Sequence, residues 1–178
     1  LNTVPTGPDF LPNIERLKRI TLDLCEYSKV RPLEISPFDL NQILRQAVGD
    51  LPVSMQGKTA LLKLHLEENL PAAHLDSDKI RQVIRHFLFH LLDPEDGRDC
   101  PVTVETRYLS DSKEFMICMA ADIPLPADPR NLFEPAEYKV TRFRTGLNLP
   151  LAKRFIECHN GRIELDSRID GQTVFTIY

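Results

Sequence analysis

Two histidines four residues apart, His86 and His90, are the side chains whose type and spacing most directly suggest chemistry. On a helix that spacing puts both rings on one side, where they could share a transition metal such as zinc or copper. The segment His86-Phe87-Leu88-Phe89-His90 lacks the glutamate of the zinc-protease signature, and no third ligand stands at a recognisable spacing. The pair therefore reads as two partly exposed histidines that hold no metal. Cys25, Cys100, Cys118 and Cys158 form neither a C-x-x-C pair nor a compact disulfide framework, which predicts free thiols in a reducing cytoplasm. With 22 basic against 26 acidic side chains and a formal charge of -4, the chain has no global positive field, so neither nucleic acid nor anionic lipid is an expected partner.

The elements that must position these groups follow from periodicity. A length of 178 residues with 42% apolar content predicts one compact domain with an appendage. No run of 18 apolar residues occurs, so no membrane contact is expected from these residues, although a longer parent protein is free to be anchored. Ile14, Leu17, Ile20, Leu24 and Tyr27 recur at three and four, predicting an amphipathic helix from Phe10 to about Val30. Pro32 and Pro37 predict a hinge, followed by a second helix from Asp39 to Leu51. Alternation over Thr59 to Leu66 predicts a half-buried strand with Leu62, Leu64 and Leu66 inward. Between Asp76 and Leu92 a wide apolar stripe marks a third helix, capped by Asp76 or Ser77. Val102 to Tyr108 and Phe115 to Met119 predict a hairpin. Asp122 to Gly146 lacks periodicity and accumulates prolines and basic residues, as a mobile, site-bearing loop would. A helix over Pro150 to His159, stopped by Asn160-Gly161, precedes strands near Arg162 to Ser167 and Gln172 to Tyr178. The fold class is α+β, with helices on one face of a largely antiparallel sheet.

Three segments together resemble the catalytic and ATP-binding domain of sensor histidine kinases, within the gyrase, Hsp90, histidine kinase and MutL ATPase superfamily. Asp78-Lys79-Ile80-Arg81-Gln82-Val83-Ile84 looks like the lead-in to that family's asparagine-bearing helix, and Leu132-Phe133-Glu134-Pro135 like its phenylalanine box. Most specific is Thr145-Gly146-Leu147-Asn148-Leu149, which resembles G-T-G-L-G-L and runs into Leu151-Ala152-Lys153-Arg154-Phe155-Ile156 and His159-Asn160-Gly161-Arg162-Ile163. Upstream, Glu15-Arg16-Leu17 through Asp23-Leu24-Cys25-Glu26-Tyr27-Ser28 looks like the end of a dimerisation helix, and Phe38-Asp39-Leu40 like the entry to the ATPase domain. The resemblance implies a dimerisation segment and linker over 1–35 and an ATPase domain over 36–178. It also implies a two-layer α/β sandwich with a mixed, mostly antiparallel sheet, ATP lying between the helix after Asp76 and the loop after Asp122.

By the same resemblance, ATP and magnesium are the implied cofactors. Asp122 stands where the family's aspartate accepts a hydrogen bond from the adenine amine. The glycines expected after it are replaced in Asp122-Ile123-Pro124-Leu125-Pro126 by prolines, which lock φ and remove donors. His86 and His90 occupy the family's asparagine positions, the second of which ligates magnesium; imidazole is a poor substitute for the hard oxygen that ion prefers. At the second glycine box Thr145, Gly146 and Leu147 remain, while Asn148 replaces a glycine and is expected to tolerate a left-handed backbone. Lys139, Arg142 and Arg144 read either as a solvated charged loop or as a lid facing phosphate at the following helix start.

These replacements predict a degenerate, pseudokinase-like domain of a two-component protein, with weak or absent ATP binding and a role in protein recognition or phosphorelay. Implied partners are a response regulator or partner kinase, with homodimerisation in the full-length protein. A divergent but working kinase, passing the γ-phosphoryl of ATP to a histidine upstream of Leu1, is the enzymatic alternative; a His86/His90 metal sensor is a third. No catalytic residue is expected within these residues, which alone should not autophosphorylate.

Overall fold

The computed structural model describes residues 10–28, 32–93, 98–123, 128–135, 146–167 and 172–178. The predicted turns around Pro94 to Gly97 and at Asp170-Gly171 lie outside them, as does most of the loop after Asp122. The elements run α1 (Phe10–Ser28), β1 (Ser36–Phe38), α2 (Leu40–Gly49), α3 (Val53–Gln56), β2 (Leu62–Leu66), β3 (Ala73–Leu75), α4 (Ser77–Leu92), β4 (Val102–Leu109), β5 (Glu114–Ala121), α5 (Asn148–Cys158), β6 (Ile163–Ser167) and β7 (Thr173–Ile177). Short 3-10 turns cover Gly57–Leu61 and Pro129–Phe133.

The main sheet has the order β2-β4-β5-β7-β6. The pair β2–β4 is parallel and every other neighbour antiparallel, so the α+β class with a mixed sheet holds. A parallel pair needs a crossover rather than a tight turn, and the chain between β2 and β4 supplies one containing α4. Inward residues Val102, Val104, Met119 and Phe175 meet Val83, Ile84, Phe87, Leu88 and Leu91 of α4 in one core. Phe87 and Phe175 touch edge-on with centroids 5.0 Å apart, the geometry favoured by aromatic quadrupoles.

Two expectations need correction. Leu64 is 38% exposed, because β2 is an edge strand with only one neighbour, so its predicted inward face is only half covered. Pro37 does not break the chain: Ser36–Phe38 forms β1 and pairs antiparallel with β3. Proline is tolerated in this two-stranded ribbon because each strand has an open edge.

Local signals set the helix limits. Asp39 caps α2 by accepting from the amides of Asn41 and Gln42 at 2.8 and 3.3 Å. Asp76, not Ser77, caps α4: its Oδ1 accepts from the Lys79 amide at 3.1 Å, while Oδ2 accepts from the Glu34 amide at 3.1 Å. Helix α5 ends as expected at Asn160, whose φ of 60° is the left-handed stop. The next residue must be glycine: a Cβ on Gly161 would lie 2.2 Å from the Tyr178 carbonyl oxygen and 2.9 Å from Ile156 Cγ2. That close approach lets Arg162 and Tyr178 exchange backbone hydrogen bonds of 3.0 and 2.9 Å. Gly161→Ala is therefore expected to cost about 1–3 kcal/mol by overpacking, read as a lower urea midpoint at unchanged m-value; a midpoint equal to the parent's would show that the backbone here yields freely.

Candidate functional site

Helix α4 carries both histidines. Its second half is apolar nearly all round, with Phe87, Leu88, Phe89, Leu91 and Leu92 all buried, because neighbours cover most of its circumference. The sheet covers one side and α2 and α5 flank it, with α1 beyond. The expectation that His86 is partly exposed is therefore corrected: it is only 2% exposed. His90 is half-buried, as expected, with its ring edge-on to Phe175 at 5.8 Å.

Helices α4 and α5 run antiparallel and are joined by polar contacts at two levels. At one end the Asp76 amide donates to His159 Nε2 at 3.0 Å, while His159 Nδ1 donates to the Phe155 carbonyl at 2.7 Å. At the other, Asn148 Nδ2 donates to His86 Nδ1 at 2.7 Å within the protein interior. Ten residues of α4 separate Asp76 from His86 and eleven of α5 separate Asn148 from His159, roughly 15 and 16 Å of helix. The two levels are thus in register.

The Asn148 contact sets the state of the His86 ring. A ring nitrogen that accepts from an amide carries no proton, so in the neutral imidazole the hydrogen sits on Nε2. Burial, reinforced by the positive charges of Arg85 and Arg19, pushes this histidine from 6.5 down to about 3. It is an uncharged group at neutral pH. Asn148 is 4% exposed and opens α5 in helical conformation, whereas the left-handed backbone falls on Gly146, with φ 77°. The anticipated use of Asn148 for a left-handed turn is accordingly corrected: its side chain, not its backbone freedom, makes the contact. Leu147 is the helix N-cap residue, with no oxygen to offer the first-turn amides.

Asp122 directly follows β5 and is exposed; its carbonyl accepts from Cys100 Sγ at 2.8 Å. The next carbonyl, of Ile123, accepts from Thr173 Oγ1 at 2.6 Å, tying this strand exit to β7. The phenylalanine-box segment also reaches the core: Leu132 is buried, and Phe133 approaches Phe175 at 6.5 Å between centroids. Thr145, Lys139, Arg142, Arg144, Pro124 and Pro126 lie outside the described residues. Of the candidate residues, the structure brings His86 and Asn148 into direct contact.

These side chains do not fit magnesium. The ion wants hard oxygen donors in octahedral array, whereas positions 86 and 90 present imidazoles, one of them already bound to Asn148. Among the described residues no three His, Cys, Asp or Glu side chains are grouped to hold a metal ion. Sequence reasoning also missed groups that surround His86. Arg85, Asp50, Asp23 and Glu26 share a cleft with it, contributed by α1, α4 and the end of α2. Arg85 within the apolar stripe was the one available signal; the acidic partners are distant in sequence. His159 gave no signal, being 83 residues from its Asp76 partner.

A five-stranded mixed sheet backed by helices, with a site where α4 meets the start of α5, is the architecture of an ATPase-type domain. The description "Histidine kinase-, DNA gyrase B-, and HSP90-like ATPase" matches residues 75–178, and the chain belongs to that family. It is 21% identical over 164 residues to the sensor histidine kinase ZraS of Klebsiella oxytoca, covering 92% of this chain and 35% of ZraS. It is 23% identical to the circadian input-output histidine kinase CikA of Synechococcus elongatus, covering 92% of this chain and 23% of CikA. The chain thus spans about a third or less of these relatives. Among solved structures, Acinetobacter baumannii histidine kinase AdeS matches with TM-score 0.74 at 19% identity, covering 97% of this chain and 85% of AdeS. Full-length ShkA in complex with AMPPNP matches with TM-score 0.73 at 15% identity, over 98% of this chain and 39% of ShkA. Histidine kinase ThkA in complex with response regulator protein TrrA matches with TM-score 0.70 at 19% identity, over 97% and 52% respectively. At such identities the structural likeness is one of fold. No helix among the described residues is long and apolar enough to cross a membrane.

The buried neutral imidazole has a pH consequence. Unfolded, His86 takes a proton near pH 6.5; folded, only near pH 3. The unfolded chain binds more protons throughout that window, so stability falls as pH drops from 6.5 towards 3, by up to about 1.4 kcal/mol per pH unit from this residue. Urea titrations at pH 6.5 and pH 5 should therefore show a pH-dependent loss smaller by between about 1 and 2 kcal/mol in His86→Gln than in the parent. Parallel losses in the two proteins would mean that the ring protonates readily in the folded state.

Proposed function

We propose that this chain is the ATPase-type domain of a two-component signalling protein, that it binds nucleotide weakly or not at all, and that it acts through protein recognition. The observation that carries this reading is the 2.7 Å contact between Asn148 and His86. By resemblance, these are positions at which relatives carry a glycine and an asparagine, facing phosphate and metal. Here the two replacements satisfy each other, so a phosphate or metal arriving between α4 and α5 would have to break a buried hydrogen bond. The loss of an oxygen ligand at His90 acts in the same direction. Asp122 and Gly146 retain the types expected at an adenine contact and a phosphate turn.

Residues 1–35 are then the end of a dimerisation helix and linker, and 36–178 the ATPase domain. Ile14, Leu17 and Leu24 of α1 are about half exposed or more and share one side of the helix, an apolar face suited to a second copy of the helix in the longer protein. A response regulator is the favoured partner, since ThkA, of the same fold, was solved with one.

The test is thermal melting with ATP, ADP and AMPPNP, with and without magnesium. A ligand at 100 times its Kd stabilises by about 2.7 kcal/mol, a rise in Tm of roughly 5–10 °C for a domain of this size. The parent chain should show no magnesium-dependent rise at micromolar nucleotide. A variant carrying His86→Asn, His90→Asn, Pro124→Gly, Pro126→Gly and Asn148→Gly should gain one. A magnesium-dependent rise in the parent would instead establish a divergent working kinase domain, handing phosphoryl to an upstream histidine.

A further inference from the structure

A cavity of about 400 Å³, at the low end of the range of small-molecule sites, lies at the opposite end of the α4–α5 pair from the His86–Asn148 contact. It opens where the β1–β3 ribbon, the first half of α4, the end of α5, the start of β5 and the end of β7 converge. Its walls are apolar: Leu75, Ile80, Phe115, Ile117, Ile156 and Ile177 come from five separate elements. No single stretch of sequence marks it, because the walls meet only in the folded domain.

The polar groups beside these walls are largely spoken for. His159 uses one ring nitrogen on the Asp76 amide and the other on the Phe155 carbonyl, while Glu114 accepts from Arg162. The Gly161 amide donates to the Ile156 carbonyl at 2.9 Å, and the amide and carbonyl of Tyr178 both pair with Arg162. What remains at the mouth is the exposed side chains of His74, Lys113 and Asn160, which have no hydrogen-bond or ion-pair partner among the described residues.

Charge narrows the class of occupant. The lining carries two formal charges, Lys113 and Glu114, and Glu114 is neutralised by Arg162, so one positive charge is left at the mouth. A cation would be repelled by it, and a neutral molecule would leave it unmatched. A phosphate dianion would bring its second charge towards Glu114, and Arg162 is already shared between Glu114 and Glu164. Apolar walls with one cation and one amide at the mouth match an apolar body bearing a single negative charge.

We propose that this cavity binds a small apolar carboxylic acid in its ionised form, with the hydrocarbon body among the isoleucines and the carboxylate at Lys113 and Asn160. The site is separate from the nucleotide cleft: Asp76, at its level, is ten residues of α4 from His86, roughly 15 Å of helix. A ligand there bears on the ribbon and on both helices where Asp76 holds His159 and Glu34, and so stiffens the junction through which the chain enters the domain.

Calorimetry and methyl NMR of the 178-residue chain, without nucleotide, test this. The probes are hexanoate, octanoate and phenylacetate. The controls are 1-hexanol, a body without charge; hexylammonium, a body with the wrong charge; and acetate, a charge without a body. The acids should bind saturably and tighten roughly fourfold per methylene from hexanoate to octanoate. Hexanol should bind roughly three- to tenfold more weakly than hexanoate, and hexylammonium and acetate not at all. In isoleucine-methyl spectra, octanoate should shift Ile80, Ile117, Ile156 and Ile177 and leave Ile20 and Ile123 in place. Lys113 has φ 58°, where glycine is favoured, so Lys113→Gly should fold at least as well as the parent. That variant should weaken octanoate roughly three- to tenfold and leave hexanol unchanged. The proposal is overturned if no acid saturates, if hexanol binds the parent as tightly as hexanoate, if Lys113→Gly binds octanoate as the parent does, or if the shifted isoleucines lie outside the cavity. Because no nucleotide is present, none of these results depends on whether the α4–α5 cleft takes ATP.

Discussion

The antiparallel pairing of α4 with α5 is held in register by two polar contacts, one part-buried and one buried, and most of what is distinctive in this chain follows from them. Asp76 serves three groups at once: its amide donates to His159, and its two carboxylate oxygens accept from Lys79 and Glu34. One residue therefore fixes where α4 begins, where α5 ends and how the segment leading into β1 enters the domain. A 7% exposed carboxylate is tolerable only because both oxygens are matched. About 15 Å along the helix, the His86–Asn148 contact repeats the arrangement with neutral partners, which suits a deeper position where a charge would be costly.

The neutrality of His86 links packing to function. Apolar neighbours on α4 exclude water, Arg85 and Arg19 discourage a proton, and Asn148 selects the tautomer. The ring then presents its Nδ1 lone pair to Asn148 and keeps its N–H within the protein interior. A side chain that would serve as a metal ligand or pH switch on a surface becomes a fixed, uncharged connector between α4 and α5. An asparagine there would offer donors and an oxygen without that rigid two-sided geometry.

Helix α1 is held to the domain through its C-terminal half. Glu26 pairs with Lys79, and Arg154 donates to the Tyr27 carbonyl while stacking over the Tyr27 ring at 5.5 Å. Its apolar residues Ile14, Leu17 and Leu24 stay outward. The helix is therefore amphipathic in an inverted sense, using polar groups against the domain and leaving its hydrophobic stripe open, as expected if that stripe has another partner.

Local pattern was enough for the elements whose signals are short-range. The 3.6-residue stripe of α4, the Asp76 cap, the β4–β5 hairpin and the Asn160-Gly161 stop could all be read in sequence, as could the family likeness around Gly146 and Phe133. Periodicity could not tell that Leu64 sits on an edge strand or that Pro37 enters a ribbon with β3, because both depend on which strands become neighbours. Nor could it bury His86, since burial there is contributed by α1 and α5, tens of residues away on either side. The residue types at positions 86 and 148 were written in the chain; their hydrogen bond and the tautomer it selects exist only once distant helices are packed together, because each is a property of a pair and not of a residue.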